Sequence, residues 1–475
     1  MPTLSRPLSR PLSPSLLRHT LAATLATLST LALAGAPRAT LEMSPPGDAY
    51  GDRADQFGSA PFVEQEFFLS GQARRYKGAG TLGSDGKWSA TVVSSNTPYK
   101  TAALVRRPSH PSHFNGIVLV EWLNVSSGYP LDVDWGMNRE EILRKGYAYI
   151  GLVNQKVGLD GIKKLTAYGD RYAGTDISTD DISYDILSQA GQAVRDQYSV
   201  LLGGLKPVKV LTSGHSQSAM RLTTYANAIQ PLDRVFDGIL IHGRANSGTK
   251  MASGDNTPSS TVIRADSLVP VFQIQSQMDV SVQPATSKAI DTGKVRYWEV
   301  AGAAHADQYL LDNIYSVSER EVGFDQPDCS KPHNAMPFYM AQNAALRHLA
   351  NWTLTGTAPP VAPRMKRNWL GSLQKDANDN VIGGLRLPEI EVPVATYGNA
   401  NFTTGSLAFL DLFACIAGGY TEPFSASKLK TLYPTRADYV SKYKKAADAA
   451  LAAGYILPED HANALQRAQA AAIPR

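Results

Sequence analysis

Short apolar runs recur through the middle of the chain and alternate with longer segments of helical periodicity. An uninterrupted apolar run is typical of a strand buried on both faces, whereas apolar residues three and four positions apart indicate an amphipathic helix. The runs lie at residues 116–123, 147–153, 208–212, 236–241, 269–274 and 295–300, and the helical segments at residues 138–145, 185–198, 220–229 and 337–354. This alternation predicts an α/β fold with a mostly parallel central sheet and helices on both faces.

The segments on either side of this region have a different character. Residues 35–60 contain glycine and proline and are predicted to be an irregular leader, followed by strands at residues 62–76 and 99–107. Near the carboxyl terminus, turn-forming residues predict a hairpin and Ala-rich periodicity predicts helices, at residues 376–384 for the hairpin and 425–434, 436–453 and 458–472 for the helices. We therefore expect a core domain at residues 60–360, with residues 361–475 packed on it or covering its site.

The amino-terminal residues have the features of an export signal. Three arginines form a basic head, an apolar run rich in Leu and Ala follows at residues 21–36, and Ala32 and Ala34 supply the small residues that a signal peptidase requires. The alternative is a membrane anchor, but the run falls short of the roughly 20 residues that cross a bilayer. We expect residues 1–34 to be a signal peptide and the mature protein to be secreted or periplasmic.

Removal of this segment changes the charge of the chain. The formal net charge is +4, and the predicted signal peptide holds three arginines and no acidic residue, so the mature protein carries about +1. No long cluster of lysine and arginine follows, which argues against a nucleic-acid partner.

The chain contains two cysteines, Cys329 and Cys415. Outside the cytoplasm an even number of cysteines favours a disulfide, and the alternative is a pair of buried free thiols. The export signal favours the disulfide. No HExxH motif or Cys/His cluster indicates a catalytic metal, and we expect neither a metal nor another cofactor.

The chemistry is indicated most clearly by the segment VKVLTSGHSQSAMRLTTYANAI at residues 208–229. A buried strand runs into Gly214-His215-Ser216-Gln217-Ser218, and a helix follows at once. This is the layout of a nucleophile elbow, in which a serine occupies a strained turn and the residues two before and two after it are small. The alternative is an ordinary turn whose serine caps the helix. The strand-turn-helix context favours Ser216 as a nucleophile.

Two further residues complete a catalytic set in the order that this fold uses, which is serine, acid, histidine. Asp279 and His305 each follow a predicted strand, and the carboxyl ends of parallel strands are where open α/β sheets hold their sites. His242 is the main rival for the base and is interpreted as a structural histidine. The rival carboxylates are Asp266, Asp291, which we place in a helix, and Asp307, which we expect to cap the next helix.

A serine nucleophile also requires donors for the oxyanion that forms during attack. The N–H of Gln217, the residue after the nucleophile, is expected to be one donor. The other is expected from the main chain after the strand that ends near residue 123, at Leu123, Asn124 or Val125, and we take Asn124 as the candidate.

Seven stretches of this chain resemble a family of large α/β-hydrolase-domain proteins. They are VEWLNVSSG, RKGYAYIGLVNQKVG, ISYDILSQAGQAVR, GHSQSA, AGAAHAD, GGLRLPEIEVPVATYG and PFSASKLKTLYPTRADYV. The resemblance covers most of the chain from about residue 60 to the end. The resemblance implies the α/β-hydrolase fold, the roles of Ser216 and His305, and a carboxyl-terminal segment that belongs to the same unit. Relatives carry a glutamate two positions before the acid, where this chain has Gln277, so Asp279 is left as the carboxylate.

These residues predict a secreted serine esterase that cleaves carboxylic esters through an acyl-enzyme. The substrate is expected to be a small-molecule or polymer-borne ester. One alternative is an acyltransferase with the same catalytic residues, since exclusion of water decides between the two reactions. The other is a non-catalytic binding protein on the hydrolase fold, which the complete set of Ser216, Asp279 and His305 disfavours.

Overall fold

The computed structural model describes residues 36–283, 290–405 and 408–473, and the predicted signal peptide lies outside these ranges. Gly35–Arg475 forms one compact unit. Its strands are β1 (Thr40–Met43), β2 (Phe62–Gly78), β3 (Ala90–Pro108), β4 (Ile117–Trp122), β5 (Ala148–Leu152), β6 (Asp176–Ile177), β7 (Lys209–His215), β8 (Gly238–His242), β9 (Val271–Ser276), β10 (Val295–Val300), β11 (Ala395–Gly398) and β12 (Tyr420–Pro423).

The first ten of these strands form one large sheet, and β11 and β12 form a separate antiparallel pair. The order in the large sheet is β1-β2-β3-β5-β4-β7-β8-β9-β10, and β6 pairs with β3. Every pair from β5 to β10 is parallel, whereas β1, β2, β3 and β5 pair antiparallel. The predicted class, a mostly parallel sheet of the α/β type, is confirmed.

The apolar runs predict strands with two buried faces because successive side chains point to opposite sides of the sheet. In β4, Ile117 and Leu119 enter one hydrophobic core, and Val118 and Val120 enter the other. All six residues of β4 are buried. The sheet therefore separates two cores, and each needs a layer of helices to cover it.

Both helical layers are present. α1 and α9 cover one face, and α3 and α5 cover the other. The helices are α1 (Val133–Lys145), α2 (Lys156–Ile162), α3 (Ser183–Asp196), α4 (Tyr198–Leu201), α5 (Gln217–Thr224), α6 (Gln230–Asp233), α7 (Gln277–Ser281), α8 (Gln308–Val322), α9 (Phe338–Thr355), α10 (Pro388–Glu391), α11 (Phe409–Gly418), α12 (Ala426–Leu432), α13 (Arg436–Ala452) and α14 (Pro458–Ala470). None of the described helices is long and apolar enough to cross a bilayer.

The carboxyl-terminal segment packs on the face covered by α1 and α9. Asp460 at the start of α14 is fully buried and accepts hydrogen bonds from Arg144 of α1 and Asn343 of α9. The indole N–H of Trp298 in β10 donates to the carbonyl of Pro360, and its ring contacts Tyr455. Buried polar contacts of this kind fix the segment in one position on the core.

Several features of the structure differ from the sequence prediction, among them an edge strand and helix α11. Thr40–Met43 is a strand instead of irregular leader, because it pairs with the otherwise free edge of β2, a contact that its short and mostly exposed sequence does not reveal. Helix α11 also lies outside the helices we predicted, since a short apolar run is ambiguous between strand and helix. The predicted helices near the terminus correspond to α12, α13 and α14.

Candidate active site

Ser216 occupies the sharp turn between β7 and α5. Its backbone has φ 59° and ψ −115°, a conformation that costs a non-glycine residue about 1–3 kcal/mol. The Ser216 N–H donates to the carbonyl of His242 on the neighbouring strand β8 at 2.9 Å. The sheet therefore holds the strained turn in place and presents the serine side chain at the carboxyl end of β7.

The residues around the serine are small because strand and helix approach closely here. A side-chain carbon at Gly214 would lie 3.1 Å from both Ser218 and Leu222. Gly243 has φ +62°, and a carbon there would lie 3.1 Å from His215 and 3.2 Å from His305. These glycines leave room for the turn and for the histidine rings packed against it.

The structure brings Ser216, His305 and Asp279 into one hydrogen-bonded chain. His305 Nε2 lies 2.9 Å from Ser216 Oγ, and His305 Nδ1 lies 2.6 Å from Asp279 Oδ1. A carboxylate accepts only, so the neutral imidazole carries its proton on Nδ1 and leaves Nε2 able to accept from the serine hydroxyl. The three side chains have the donor and acceptor arrangement of a serine hydrolase.

Asp279 is buried at the start of α7 and is held by a reciprocal cap. Its Oδ2 accepts from the N–H of Ser276 at 2.8 Å, and its own N–H donates to Ser276 Oγ at 3.1 Å. Burial acts to raise the pKa of Asp279, but the charge of His305 and hydrogen bonds from His305 and Ser276 outweigh it and hold the pKa below its usual value. Asp279 is therefore a carboxylate at neutral pH.

The loop that carries His305 is fixed on both sides. Gln277, two positions before Asp279, accepts from the N–H of Gly302 at 2.8 Å. The N–H of Ala306 donates to the carbonyl of Ala417 in α11 at 3.0 Å. The loop that carries the imidazole is thus tied to α7 on one side and to the carboxyl-terminal segment on the other.

A second pair of histidines lies behind the site. The rings of His215 and His305 have centroids 4.4 Å apart, and so do those of His215 and His242. His215 Nε2 lies 3.2 Å from the carbonyl of His305, and because a carbonyl only accepts, this nitrogen carries the proton. Burial, together with the neighbouring charges of His242 and His305, holds the pKa of His215 well below its usual value. His242 Nδ1 instead faces Asp134 at 3.2 Å, away from the Ser216 hydroxyl.

The role of His215 was not predicted from the sequence. His215 supports the main chain of His305 and is therefore placed to position that imidazole, through a contact between residues 90 positions apart. The only sequence signal is its place inside the elbow motif.

Two of the three main-chain groups that we expected as a second oxyanion donor, those of Leu123 and Asn124, face carbonyl partners of their own, and the third, that of Val125, stays a prediction. The N–H of Asn124 donates to the carbonyl of Leu131 at 3.0 Å, and that of Leu123 faces Leu152 at 3.4 Å. The Asn124 side chain lines the site with Ser216. Its Nδ2 donates to the carbonyl of His215 at 3.0 Å, and its Oδ1 accepts from Ser126 at 2.9 Å. Gln217 is the first residue of α5, so helix geometry leaves its N–H without an intrahelical partner.

The rival carboxylates have other partners. Asp266 pairs with Arg264 on the surface. Asp291 lies in the loop before β10, not in a helix as we expected, and pairs with Arg296 and Arg364. Asp307 caps α8 by accepting from the N–H of Leu310 at 2.9 Å, and burial raises its pKa to about 7.

A cavity of about 510 Å³ opens beside Ser216 and His305. Its walls come mainly from α8 and α11, and its lining is largely apolar. Cavities of roughly 300–1,000 Å³ accommodate small organic ligands. Among the described residues, no group of His, Cys, Asp and Glu side chains is arranged to hold a metal ion.

Comparison with known proteins places these observations in a family. A family model described as an alpha/beta hydrolase domain matches residues 32–466. No curated protein sequence matches the chain. Similar solved structures include a methylesterase (12% identity, 51% of this chain and 46% of that chain covered, TM-score 0.28), a CE15 glucuronoyl esterase from Teredinibacter turnerae (12%, 53% and 64%, 0.30) and a fungal esterase from Rhizomucor miehei (12%, 64% and 89%, 0.31).

The chain spans about half the length of that methylesterase. Likeness at such identities concerns the fold, and it does not identify a substrate. The family model, in contrast, extends over most of the chain, including both the core and the carboxyl-terminal segment. The chain belongs to the α/β-hydrolase domain family.

Proposed function

We propose that this protein is a serine hydrolase that cleaves carboxylic esters through an acyl-enzyme. The observation that carries the proposal is the unbroken hydrogen-bonded chain from Ser216 through His305 to Asp279 beside an apolar cavity. Hydrolysis of p-nitrophenyl esters that depends on Ser216 is the direct test. Absence of such turnover with every acyl length would contradict it.

The geometry supports a two-step reaction. His305 Nε2 accepts the proton of Ser216 as Oγ attacks the ester carbonyl, and Asp279 stabilises the imidazolium that forms. The imidazolium then protonates the departing alcohol, leaving Ser216 acylated. In the second step, His305 accepts a proton from water as the water oxygen attacks the acyl-enzyme. The imidazolium then returns this proton to Ser216 Oγ as the bond to the acyl carbon breaks, which releases the acid and the free serine.

The oxyanion of each step requires two donors, and we assign the second to the Asn124 side chain. Its amide orientation is fixed, because Oδ1 accepts from Ser126 and Nδ2 donates one hydrogen to the carbonyl of His215. Nδ2 carries a second hydrogen. This hydrogen, together with the N–H of Gln217, supplies the pair of donors beside Ser216.

Replacing Asn124 by alanine or aspartate is expected to lower kcat by about 100- to 1,000-fold, the effect of losing one oxyanion donor. Alanine removes the donor without adding charge. Aspartate keeps the acceptor for Ser126 but places a negative charge beside the oxyanion, so its kcat should fall at least as far as that of the alanine variant. The affinity for a trifluoromethyl ketone, which binds as a tetrahedral adduct, should fall with kcat while KM changes little. A kcat within threefold of wild type in both variants would assign the second donor to the main chain instead.

We also propose that the enzyme acts outside the cytoplasm. The structure contains a Cys329–Cys415 disulfide with Cα atoms 5.6 Å apart, a bond suited to an oxidising compartment. It closes a loop with a sequence separation of 86, for which the loop-entropy model gives about 4 kcal/mol of stabilisation.

Exported protein is expected to begin after Ala34 and to carry these two cysteines in one linked peptide pair. Intact mass and non-reduced peptide mapping of protein from the culture medium or periplasm check both points. The cytoplasmic precursor serves as the control, with two thiols open to alkylation. Free thiols in the exported form, or a retained amino terminus, would contradict the proposal.

A further inference from the structure

The cavity beside Ser216 is a slot between two helices. α8 contributes side chains one turn apart, and α11 faces them with a second apolar surface. The central lining residues are Leu311, Ile314 and Tyr315 of α8 and Leu410, Phe413 and Ala414 of α11. Ser216 and His305 line the same cavity, so a group bound in the slot lies next to the carbonyl carbon that Ser216 would attack.

The charges around the slot exclude anionic ligands. Of the described residues that line it, none is lysine or arginine, whereas Asp325 and Asp411 contribute carboxylates. Burial, together with the charge of Asp411, raises the pKa of Tyr315 to about 12, so its hydroxyl is neutral at physiological pH. An anion entering this slot would lose its hydration without gaining a cationic partner.

The α11 wall is anchored at the end nearest the catalytic histidine. Cys415 is joined to Cys329, the carbonyl of Ala417 accepts from Ala306, and the carbonyl of Gly418 accepts from Asn334 at 3.0 Å. At the other end of the helix, Phe409 is 74% exposed and stacks on Phe413. The helix therefore holds an apolar face at a fixed position beside His305, although it is remote in sequence from the core.

We propose that the slot between α8 and α11 binds an uncharged, apolar acyl chain of the ester, and that these two helices determine the acyl-chain preference. This inference rests on the proposed ester hydrolysis and adds its substrate class. The chain enters between Ile314 and Ala414 with its carbonyl at Ser216. Each buried methylene contributes to binding in the transition state through the hydrophobic effect.

The test compares p-nitrophenyl acetate, butyrate, hexanoate and the mono-p-nitrophenyl ester of adipate. From acetate to hexanoate, kcat/KM is expected to rise by up to about fourfold per methylene, the value for complete burial. The adipate monoester has the chain length of the hexanoate and ends in a carboxylate. It should react at least about tenfold more slowly than the hexanoate, because the slot offers that charge no partner.

Two substitutions, one in each helix, test whether α8 and α11 determine the acyl-chain preference. Ala414→Phe places a ring in the slot and should lower kcat/KM for the hexanoate by about tenfold or more, while the acetate stays within threefold. Ile314→Ala removes contacts from the opposite wall without adding bulk, and should lower the hexanoate rate by about fivefold and spare the acetate. Leu354→Ala is the matched control, since Leu354 is an exposed aliphatic residue of a helix outside the slot, and it should change neither rate.

The outcomes separate the slot from the reaction itself. If acetate turnover depends on Ser216 but all acyl chains react at equal rates, the slot proposal is wrong and ester hydrolysis stands. The same holds if Ala414→Phe and Ile314→Ala lower kcat/KM equally for the acetate and the hexanoate. A faster adipate monoester would also overturn the slot proposal. Absence of turnover of every ester would overturn the proposed hydrolysis and the slot together.

Discussion

Ser216→Ala is expected to lower kcat for p-nitrophenyl butyrate by about 10⁵- to 10⁶-fold. The hydroxyl oxygen forms the covalent bond to the acyl group, and loss of the equivalent serine in a well-studied protease lowered kcat by about 2 × 10⁶-fold. The remaining rate would come from binding and the oxyanion donors alone. The folded state should persist, because the hydrogen bond that holds the turn joins the Ser216 main chain to His242, and the substitution removes from the side chain its hydrogen bond to His305.

A fluorophosphonate probe provides an independent measurement. It should add once, on the peptide GHSQSAMR, and fail to label Ser216→Ala. Ser218→Ala is the matched control, because this neighbouring serine is buried and donates to the carbonyl of Leu123 instead of facing His305. Its labelling and kcat should stay within about tenfold of wild type. Label on another peptide, or an active Ser216→Ala protein, would mean that the nucleophile lies elsewhere.

The fold and the arrangement of these side chains were predictable because their signals are local. A buried strand, a glycine, a serine and a helix stand within 22 consecutive residues, and this segment alone specifies the turn at Ser216. Asp279 and His305 each follow a strand, and parallel pairing of β9 and β10 brings their carboxyl ends side by side. Local order along the chain thus becomes proximity in space.

Other features depend on contacts between distant segments. The N–H of Asn124 is occupied because Asn124 forms a β-bridge with Leu131 across a loop. The apolar segment Phe409–Gly418 shows no sequence sign of lying beside the base, and its position follows from the disulfide at Cys415 and the hydrogen bond to Ala306. The edge strand β1 likewise needs β2 as a partner. Such contacts are set by the folded core and leave no local pattern.

Asp279→Asn is expected to lower kcat by about 10⁴-fold with little change in KM. The amide cannot turn freely, because the N–H of Ser276 donates to Oδ2 and demands an oxygen there. The NH₂ group must then face His305 Nδ1, which becomes an acceptor. The proton moves to Nε2, and this nitrogen can no longer accept from Ser216. Steady-state kinetics with p-nitrophenyl butyrate measure the loss, and an unchanged melting temperature shows that the fold is kept.

The rival carboxylates provide the controls for this assignment. Asp266→Asn, Asp291→Asn and Asp307→Asn should each retain kcat within about tenfold of wild type, a barrier change of about 1.4 kcal/mol. Asp307 is the most informative of these controls, since it lies two residues after His305 and asparagine caps a helix as well as aspartate does.

Burial raises the pKa of Asp307 from 3.8 to about 7, so the folded protein binds the Asp307 proton more tightly than the unfolded chain does. Wild type should therefore lose stability relative to Asp307→Asn as pH rises from 4 to 7, and melting curves across this range measure it. If Asp307→Asn lost most of its kcat and Asp279→Asn kept its kcat, the role of the acid would be assigned to Asp307 instead.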